Sequence, residues 1–404
     1  MKRIIIINQG PIYPMKAMNQ VRTHNMMRVL SESFVVDMAT SINSKTELTL
    51  SEEQISKFGG KFYSLGSLKP KNNLLIKRSV QLGERIAYYL FGTDPELFQH
   101  YFYRKRILEL IHTNKYDIVI SNYWENSLFF KSLSSNVYKI LDPHYAVEEN
   151  FEVASAQNYS GIKRFLENRR LVKNRKNERT VVENSDLILP LSQKTFSIFN
   201  KLNPDKELLL VADGNDLDHY FAYPRQAEEN TILFYGAMGS KQNINAFFRF
   251  FYNVLPVIKK HINGIRILGV GADPPDEISA LHNGADIIIT GFVEDVRPWL
   301  AKAWLKIIPL ELGSGFRGRV VELMAMGIPV AGTHNALDSI GFENGKEGFI
   351  SDDDNELSDF CVHLFKNPAR RNEISVNAKR FVKDNYSLEA TFGKLEKFLS
   401  ARFN

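Results

Sequence analysis

The sequence predicts an α/β chain of two doubly wound parallel sheets, and three observations predict it. Short apolar runs alternate with longer amphipathic ones along most of the chain, the strand–helix–strand pattern that sets parallel strands side by side. The alternation breaks at Asp213–Pro224, the polar, turn-forming stretch DGNDLDHYFAYP, and then starts again. The chain has 404 residues, more than one hydrophobic core usually holds.

The elements follow in order. Ile4–Ile7 reads as a buried strand because four isoleucines run without alternation. A helix is expected over Gln20–Ser33, with Val21, Met26, Val29 and Leu30 as its apolar stripe. Val35–Thr40 is the next strand. Helices are expected near Leu74–Phe91 and Pro95–Thr113, strands at Ile118–Ser121 and Tyr138–Leu141, and a long charged helix at Ile162–Glu183. Strand Asp186–Leu191, helix Gln193–Leu202 and strand Leu208–Val211 complete the first half. The second half reads as strand Ile232–Tyr235, helix Asn245–His261, strand Ile265–Val270, helix Pro275–Asn283 and strand Ile287–Thr290. Helix Val296–Ala303 and strand Leu305–Pro309 follow, then a glycine-rich turn into a helix, and strand Val330–Thr333. Helices Glu356–Lys366, Pro368–Asp384 and Leu388–Phe403 end the chain.

Bulk composition excludes some classes. A net charge of +5 is too mild for a dedicated nucleic-acid binder. Cys361 is the only cysteine, so an intrachain disulfide and a thiolate metal site are both excluded, which fits a reducing, cytoplasmic setting. The apolar run at Ile4–Ile7 is too short for the core of a secretion signal, and no run approaches the ~20 residues that cross a bilayer.

The most telling segment is Pro309–Val330, PLELGSGFRGRVVELMAMGIPV. Gly313, Gly315 and Gly318 allow the backbone to approach a ligand closely. The helix that follows aims its free N–H groups at the loop and seats an anion. Arg317 and Arg319 add positive charge. Glu322 lies one turn beyond Arg319 and can accept hydrogen bonds from two ribose hydroxyls. Gly327 is expected to end the helix.

At this point the residues resemble the retaining GT-B glycosyltransferases of family 4, in the branch that decorates bacterial surface polysaccharides. DGNDLDHY at Asp213–Tyr220 looks like that family's interdomain join. ILFYGAMGSKQNINA from Ile232, ILGVGADPP from Ile267 and TGFVEDVRPWLAKA from Thr290 follow in the family's order, and the glycine-rich unit falls at its E-x(7)-E motif. The resemblance implies an acceptor-side domain over 1–213 and a donor-binding domain over 214–385, facing a cleft. The last helix, 386–404, would cross back to the first domain. It implies transfer from a nucleotide-diphosphate sugar to a hydroxyl of a glycan or glycolipid, with retention and with neither metal nor other cofactor.

The site residues are carried over one by one. Glu322 would hold the ribose, and Arg319 and Lys241 the diphosphate. His144, in ILDPHYAVEENF, would reach the donor sugar. Gly313, Ser314, Gly315, Phe316, Arg317, Gly239 and Asn243 would line the donor, and Phe292 and Val293 would pack on its base. Lys16 and Arg22 would stand on the acceptor side. Ser314 occupies the place of the motif's first glutamate, Ala237 that of a common arginine, and Gly10 is the lone glycine after the first strand.

Other features have blander readings. Asp352–Asp354 resembles a DxD metal motif, but turn and N-cap chemistry explains it. Gly269 and Gly271 are half of a dinucleotide fingerprint whose third glycine is replaced by Pro274. Lys163–Arg179 holds eight basic residues against Glu167 and Glu178; a solvated face is the default, and an anionic membrane surface or polyprenyl diphosphate is the alternative. Tyr101–Arg106, YFYRKR, is a second such stretch. Three other functions stay open: a nucleotide-sugar epimerase of the same fold, a catalytically silent nucleotide-sugar-binding subunit, and, more distantly, a dehydrogenase.

Overall fold

The computed structural model describes residues 1–8, 10–15, 18–66, 95–149, 161–311 and 318–403. The chain divides into two compact units, Met1–Gly214 together with Thr391–Asn404, and Asn215–Ala390.

The first unit is built on seven parallel strands: β1 (Arg3–Ile7), β2 (Val35–Thr40), β3 (Phe62–Ser64), β4 (Ile118–Asn122), β5 (Tyr138–Asp142), β6 (Leu187–Ile188) and β7 (Glu207–Leu208). Their order is β3-β2-β1-β4-β5-β6-β7, so the direction of winding reverses between β1 and β4. The central strands are buried on both faces, which is why they are written almost wholly in Ile, Val and Leu. The connecting helices are α1 (Met18–Leu30), α2 (Lys45–Ser56), α3 (Pro95–Asn114), α4 (Gly161–Glu183) and α5 (Gln193–Leu202). In α1 Met26 and Leu30 are buried as expected, while Val21 and Val29 are only half-buried. The polar Arg22, Thr23 and Asn25 are buried instead. In α4 the inward face is Leu171, Asn174, Glu178, Val181 and Val182. The core beneath the sheet joins Ile5, Val119 and Leu141 to Trp124, Phe129 and Phe130.

The second unit carries six parallel strands: β8 (Thr231–Tyr235), β9 (Arg266–Val270), β10 (Ile287–Ile289), β11 (Leu305–Ile308), β12 (Val330–Gly332) and β13 (Phe349–Ile350). Their order is β10-β9-β8-β11-β12-β13, and here the winding reverses between β8 and β11. A short helix α6 (Asp218–Phe221) precedes β8. Helix α7 (Lys241–Arg249) runs through a π-turn, Phe250–Val254, into α8 (Leu255–His261). It starts at Lys241 rather than Asn245 because the Ser240 side chain accepts the Asn243 N–H and caps it. α9 (Asp276–Ser279) and α10 (Arg297–Leu300) are single turns, shorter than their sequence patterns suggest. α11 (Gly318–Ala325) ends where Gly327, at φ +71°, lets the Ile328 N–H reach back to the Leu323 carbonyl at 2.9 Å.

α12 (His334–Leu337), α13 (Asp354–Lys366) and α14 (Pro368–Tyr386) complete the unit. Asp353 caps α13 by accepting from the N–H groups of Asn355 and Glu356, and Asp354 pairs with Arg249 at 2.8 Å. The acidic run is thus helix-start chemistry. The final helix α15 (Lys394–Phe403) packs within the first unit, where Arg402 bonds Glu207 and Phe403 meets Tyr138 edge-on. The strand Asp186–Leu191 shortens to Leu187–Ile188. α2 and β3 have no counterpart among the sequence expectations, and the helix expected near Leu74–Phe91 lies outside the described residues. Among the described residues no helix is long and apolar enough to cross a membrane.

Candidate functional site

In open α/β sheets ligands bind outside the carboxyl ends of the strands, where the winding reverses. In the second unit that point is the mouth between β8 and β11. β8 ends on Tyr235, and the chain turns through Gly236–Ser240 into α7. The Asn243 side-chain amide donates to the Ala237 carbonyl at 2.8 Å and ties the turn to its helix. Gly236 is crowded: a Cβ there would lie 3.1 Å from Asn243 Nδ2 and 3.8 Å from a guanidinium nitrogen of Arg319. Gly271, at φ +153°, could carry no side chain, because its Cβ would stand 1.7 Å from the Gly236 carbonyl oxygen. Gly239 packs against Asp273 at 3.0 Å in the same sense. The backbone of two strand-end loops is therefore drawn together beside Arg319.

Arg319 is the second residue of α11 and is exposed. Its guanidinium carbon sits 5.3 Å from the centre of the Tyr235 ring. It makes no hydrogen bond or ion pair among the described residues. Glu322, one turn on, points back into the protein towards Tyr220 of α6 and Tyr235 of β8. Burial raises its pKa to about 7, against the pull of the Tyr220 hydroxyl, Arg319 and the Tyr235 hydroxyl. Both phenols are pushed upward, first by burial and then by the Glu322 charge. Glu322 Oε2 has no hydrogen-bond partner among the described residues. A buried acceptor with no donor is costly unless something arrives to satisfy it.

Lys306 completes this mouth. It lies on β11, buried, and its Nζ donates to the Tyr235 carbonyl at 2.8 Å. Nζ stands 5.5 Å and 5.7 Å from the ring centres of Phe234 and Tyr235. No carboxylate pairs with it among the described residues. Burial, and then the neighbouring Arg319, lower its pKa to about 7.

The mouth of the first unit, between β1 and β4, is organised differently. Arg22 of α1 is fully buried. Its Nε donates to both Asp142 oxygens, Nη2 to Asp142 Oδ1 at 2.8 Å, and Nη1 to the carbonyls of Val211 and Ala212 and to Asp213. Beside it Asn122 donates to Asn8 and Thr23. Arg22, expected on the acceptor side, is thus an internal brace whose donors are engaged. Asp213 has its pKa raised by burial despite Arg22.

His144 follows β5 with φ +59°, a backbone conformation few side-chain-bearing residues adopt. Its ring stacks on Tyr123 with centres 4.3 Å apart. Nε2 lies 3.5 Å from Asp142 Oδ2 and has no hydrogen-bond partner among the described residues. Burial drives its pKa to about 4, with Asp142 opposing and Arg22 assisting, so the ring is neutral near pH 7.

With this geometry in view, comparison with known proteins is informative. Residues 229–367 match the family described as glycosyl transferases group 1. No curated protein sequence matches the chain. Among solved structures, a sucrose-phosphate synthase from Thermosynechococcus elongatus superposes with a TM-score of 0.65 at 16% identity, covering 100% of this chain and 99% of that one. A glycosyltransferase from Rickettsia africae gives 0.62 at 16%, again over 100% and 99%. The Anabaena protein HepE in complex with UDP gives 0.62 at 13%, over 99% and 100%. The two sheets of seven and six parallel strands are thus the GT-B fold.

The matched residues 229–367 contain β8 to β13 and, with them, Tyr235, Lys306, Arg319 and Glu322, while Tyr220 of α6 lies just before them. Of the residues the sequence singled out, Arg319, Glu322, Asn243 and Gly239 are placed around the second mouth. Lys241 opens α7 and is exposed, Phe292 is 78% exposed beyond β10, and Val293 is half-buried beside it. Gly313, Ser314, Gly315, Phe316, Arg317 and Lys16 lie outside the described residues. Sequence reasoning missed Lys306, Tyr235 and Tyr220. A signal for Lys306 existed: a lysine inside a strand whose neighbours are all apolar is out of place in a doubly covered parallel sheet.

Proposed function

We propose that the protein is a retaining glycosyltransferase. It would move a sugar from a nucleotide-diphosphate sugar to a hydroxyl of a glycan or lipid-linked glycan, without a metal ion. The observation that carries this is one helix, α11, presenting a guanidinium at Arg319 and, one turn on, a carboxyl oxygen at Glu322, neither with a hydrogen-bond partner among the described residues. A diphosphate matches the first and vicinal ribose hydroxyls match the second. HepE, solved with UDP and with UDP-glucose, adds support for this donor class.

In this reading Arg319, Lys241 and the N–H groups opening α7 and α11 stabilise the charge that develops on the departing diphosphate. The bond from the anomeric carbon to the phosphate oxygen breaks as the acceptor oxygen bonds on the same face. The acceptor proton passes to a diphosphate oxygen, so the configuration is retained. His144, neutral and with a vacant Nε2, is assigned to orienting the sugar. Phe292 and Val293 are assigned to the base. Ser314 replaces an acid there, so the sugar is gripped without a second carboxylate.

The outward face of α4 supports a place at an anionic membrane. Phe165 and Val172 are 61% and 64% exposed, two turns apart, among the exposed cations Arg164, Arg169 and Lys176. Such a face gains about 1 kcal/mol per basic residue near anionic lipid. Co-sedimentation with phosphatidylglycerol vesicles, lost in Phe165→Asp and absent with neutral vesicles, is the expected outcome.

A thermal-shift panel of UDP-, GDP-, ADP- and CMP-sugars tests the activity reading, since a ligand bound at about 100 times its Kd stabilises by about 2.7 kcal/mol. One donor should raise Tm in the wild type and fail to do so in Glu322→Ala. Release of nucleoside diphosphate with acceptor should persist in EDTA. Strict dependence on a divalent ion, or isomerised donor without acceptor, would overturn it.

A further inference from the structure

We infer that Lys306 is a positioning residue whose missing counter-ion is the donor's diphosphate, so that donor binding draws one proton onto its amine; this rests on the donor-binding reading above. The geometry is unusual for a lysine. Buried ammonium groups are ordinarily matched by an acid, because an unpaired charge in a protein interior is expensive. Lys306 has one backbone carbonyl, two aromatic rings and, in place of an acid, a second cation. Arg319 shares the Tyr235 ring with it, at 5.3 Å against 5.7 Å from the ring centre. Two cations on one ring, with no acid paired to Lys306 among the described residues, describe half of an anion site.

The carbonyl contact gives the amine its leverage. Tyr235 is the last residue of β8, and its oxygen is held by Lys306 immediately before the turn Gly236–Ser240. That turn carries Asn243's acceptor at Ala237 and touches Arg319 through Gly236. Lys306 therefore sets the turn that lies against the arginine. Its own pKa, lowered to about 7, leaves the amine largely neutral above that pH while the site is empty. An anion at the mouth offsets Arg319 and favours the charged form.

The charged and titratable groups packed around this amine are Arg319 from α11 and Tyr235 from β8; beyond them stand Glu322 of α11 and Tyr220 of α6. Glu322 has the opposite linkage: ionising it to receive ribose would release a proton, and only below about pH 7. The phenols titrate too high to interfere. Above pH 7 the sign is therefore set by Lys306. The complex binds one proton more than its parts, and affinity falls as pH rises, by up to about tenfold per pH unit.

Calorimetry with UDP-glucose, and with GDP-mannose as a second probe, at about pH 7.5 to 9 in Tris and in HEPES reads both quantities. The diphosphate itself holds a constant charge over that range, and any ionisation of the base near pH 9 is common to the wild type and the variants. The expected result is uptake approaching one proton in the wild type and a roughly tenfold loss of affinity per pH unit. Lys306→Met should bind about tenfold more weakly at pH 7.5, show no uptake and lose the slope. Its Tm without ligand should match or exceed the wild type, because an unpaired buried cation is gone. Lys306→Gln, which can still donate to the Tyr235 carbonyl, should bind more tightly than Lys306→Met at every pH and, like it, show no slope. No uptake by the wild type, or an unchanged slope in Lys306→Met, overturns the inference alone. If neither probe binds, or Arg319→Ala binds as the wild type does, the donor-site reading falls and takes the inference with it.

Discussion

The two sheet mouths differ in how their polar groups are satisfied. In the first, Arg22 is out of solvent and each of its nitrogens meets an acceptor from Asp142, Val211, Ala212 or Asp213. In the second, among the described residues, Arg319 forms no ion pair, Lys306 has a carbonyl and no counter-ion, and Glu322 has an oxygen without a donor. Both mouths lie where the winding reverses, so topology alone does not separate them. The balance of donors and acceptors does. A closed network holds a fold, whereas an open one leaves room for the ligand that would complete it.

The largest expected effect falls on the closed network. Asp142→Ala strands a buried guanidinium and should cost about 3–5 kcal/mol of stability, read as a lower denaturant midpoint. A wild-type midpoint would mean that water reaches Arg22 and the contrast between the mouths is false.

Arg319→Ala should do the reverse. It should leave the midpoint near the wild type, since the side chain is exposed and unpaired, and lower kcat/KM by roughly 100- to 1000-fold, a loss of about 3–4 kcal/mol of transition-state stabilisation. A variant that unfolds would place Arg319 among the structural groups instead.

Glu322→Gln sharpens the comparison through pH. In the folded chain Glu322 holds its proton up to about pH 7, against an ordinary value of 4.5. A raised acid contributes stability below its unfolded pKa and loses it as pH climbs through the folded one. The wild type should therefore lose stability relative to Glu322→Gln between about pH 4.5 and 7, by at most about 3 kcal/mol. Parallel stability curves for the two proteins would show that the carboxyl is solvated in the empty site.

The smallest effects belong to the rim and the surface. Phe292→Ala should raise KM by several-fold, about 1 kcal/mol, with kcat and Tm unchanged. Lys57→Ala removes a pair whose partners, Lys57 and Glu53, are both 56% exposed, and should change stability by under about 0.5 kcal/mol.

Much of this architecture can be read from the chain because strands buried on both faces announce themselves by unbroken apolar runs. Ile4–Ile7 falls where that pattern places it, and Val35–Thr40 and Leu305–Ile308 fall where expected although each carries an interior charge, Asp37 and Lys306. α2 escaped because its sequence, KTELTLSEEQIS, buries only Ser51 and Ile55 and so has almost no stripe. Helix limits moved where caps rather than hydrophobicity decide, as Ser240 does for α7. Within the candidate site, Arg319 and Glu322 were legible because their spacing lies on a single helix. Tyr220, Tyr235 and Lys306 come from three separate elements and meet only once the parallel order is formed. Arg22, expected on the acceptor side, has its pairing with Asp142 and Asp213 hidden in the sequence because both acids lie far along the chain.

A crystal structure of the protein with an unhydrolysed nucleotide sugar tests the central claim most directly. The account predicts diphosphate oxygens within hydrogen-bond distance of the Arg319 guanidinium, and ribose hydroxyls on Glu322 Oε2 at the mouth of β8 and β11. A nucleotide seated elsewhere, with Arg319 and Glu322 as they stand in the empty protein, would contradict it.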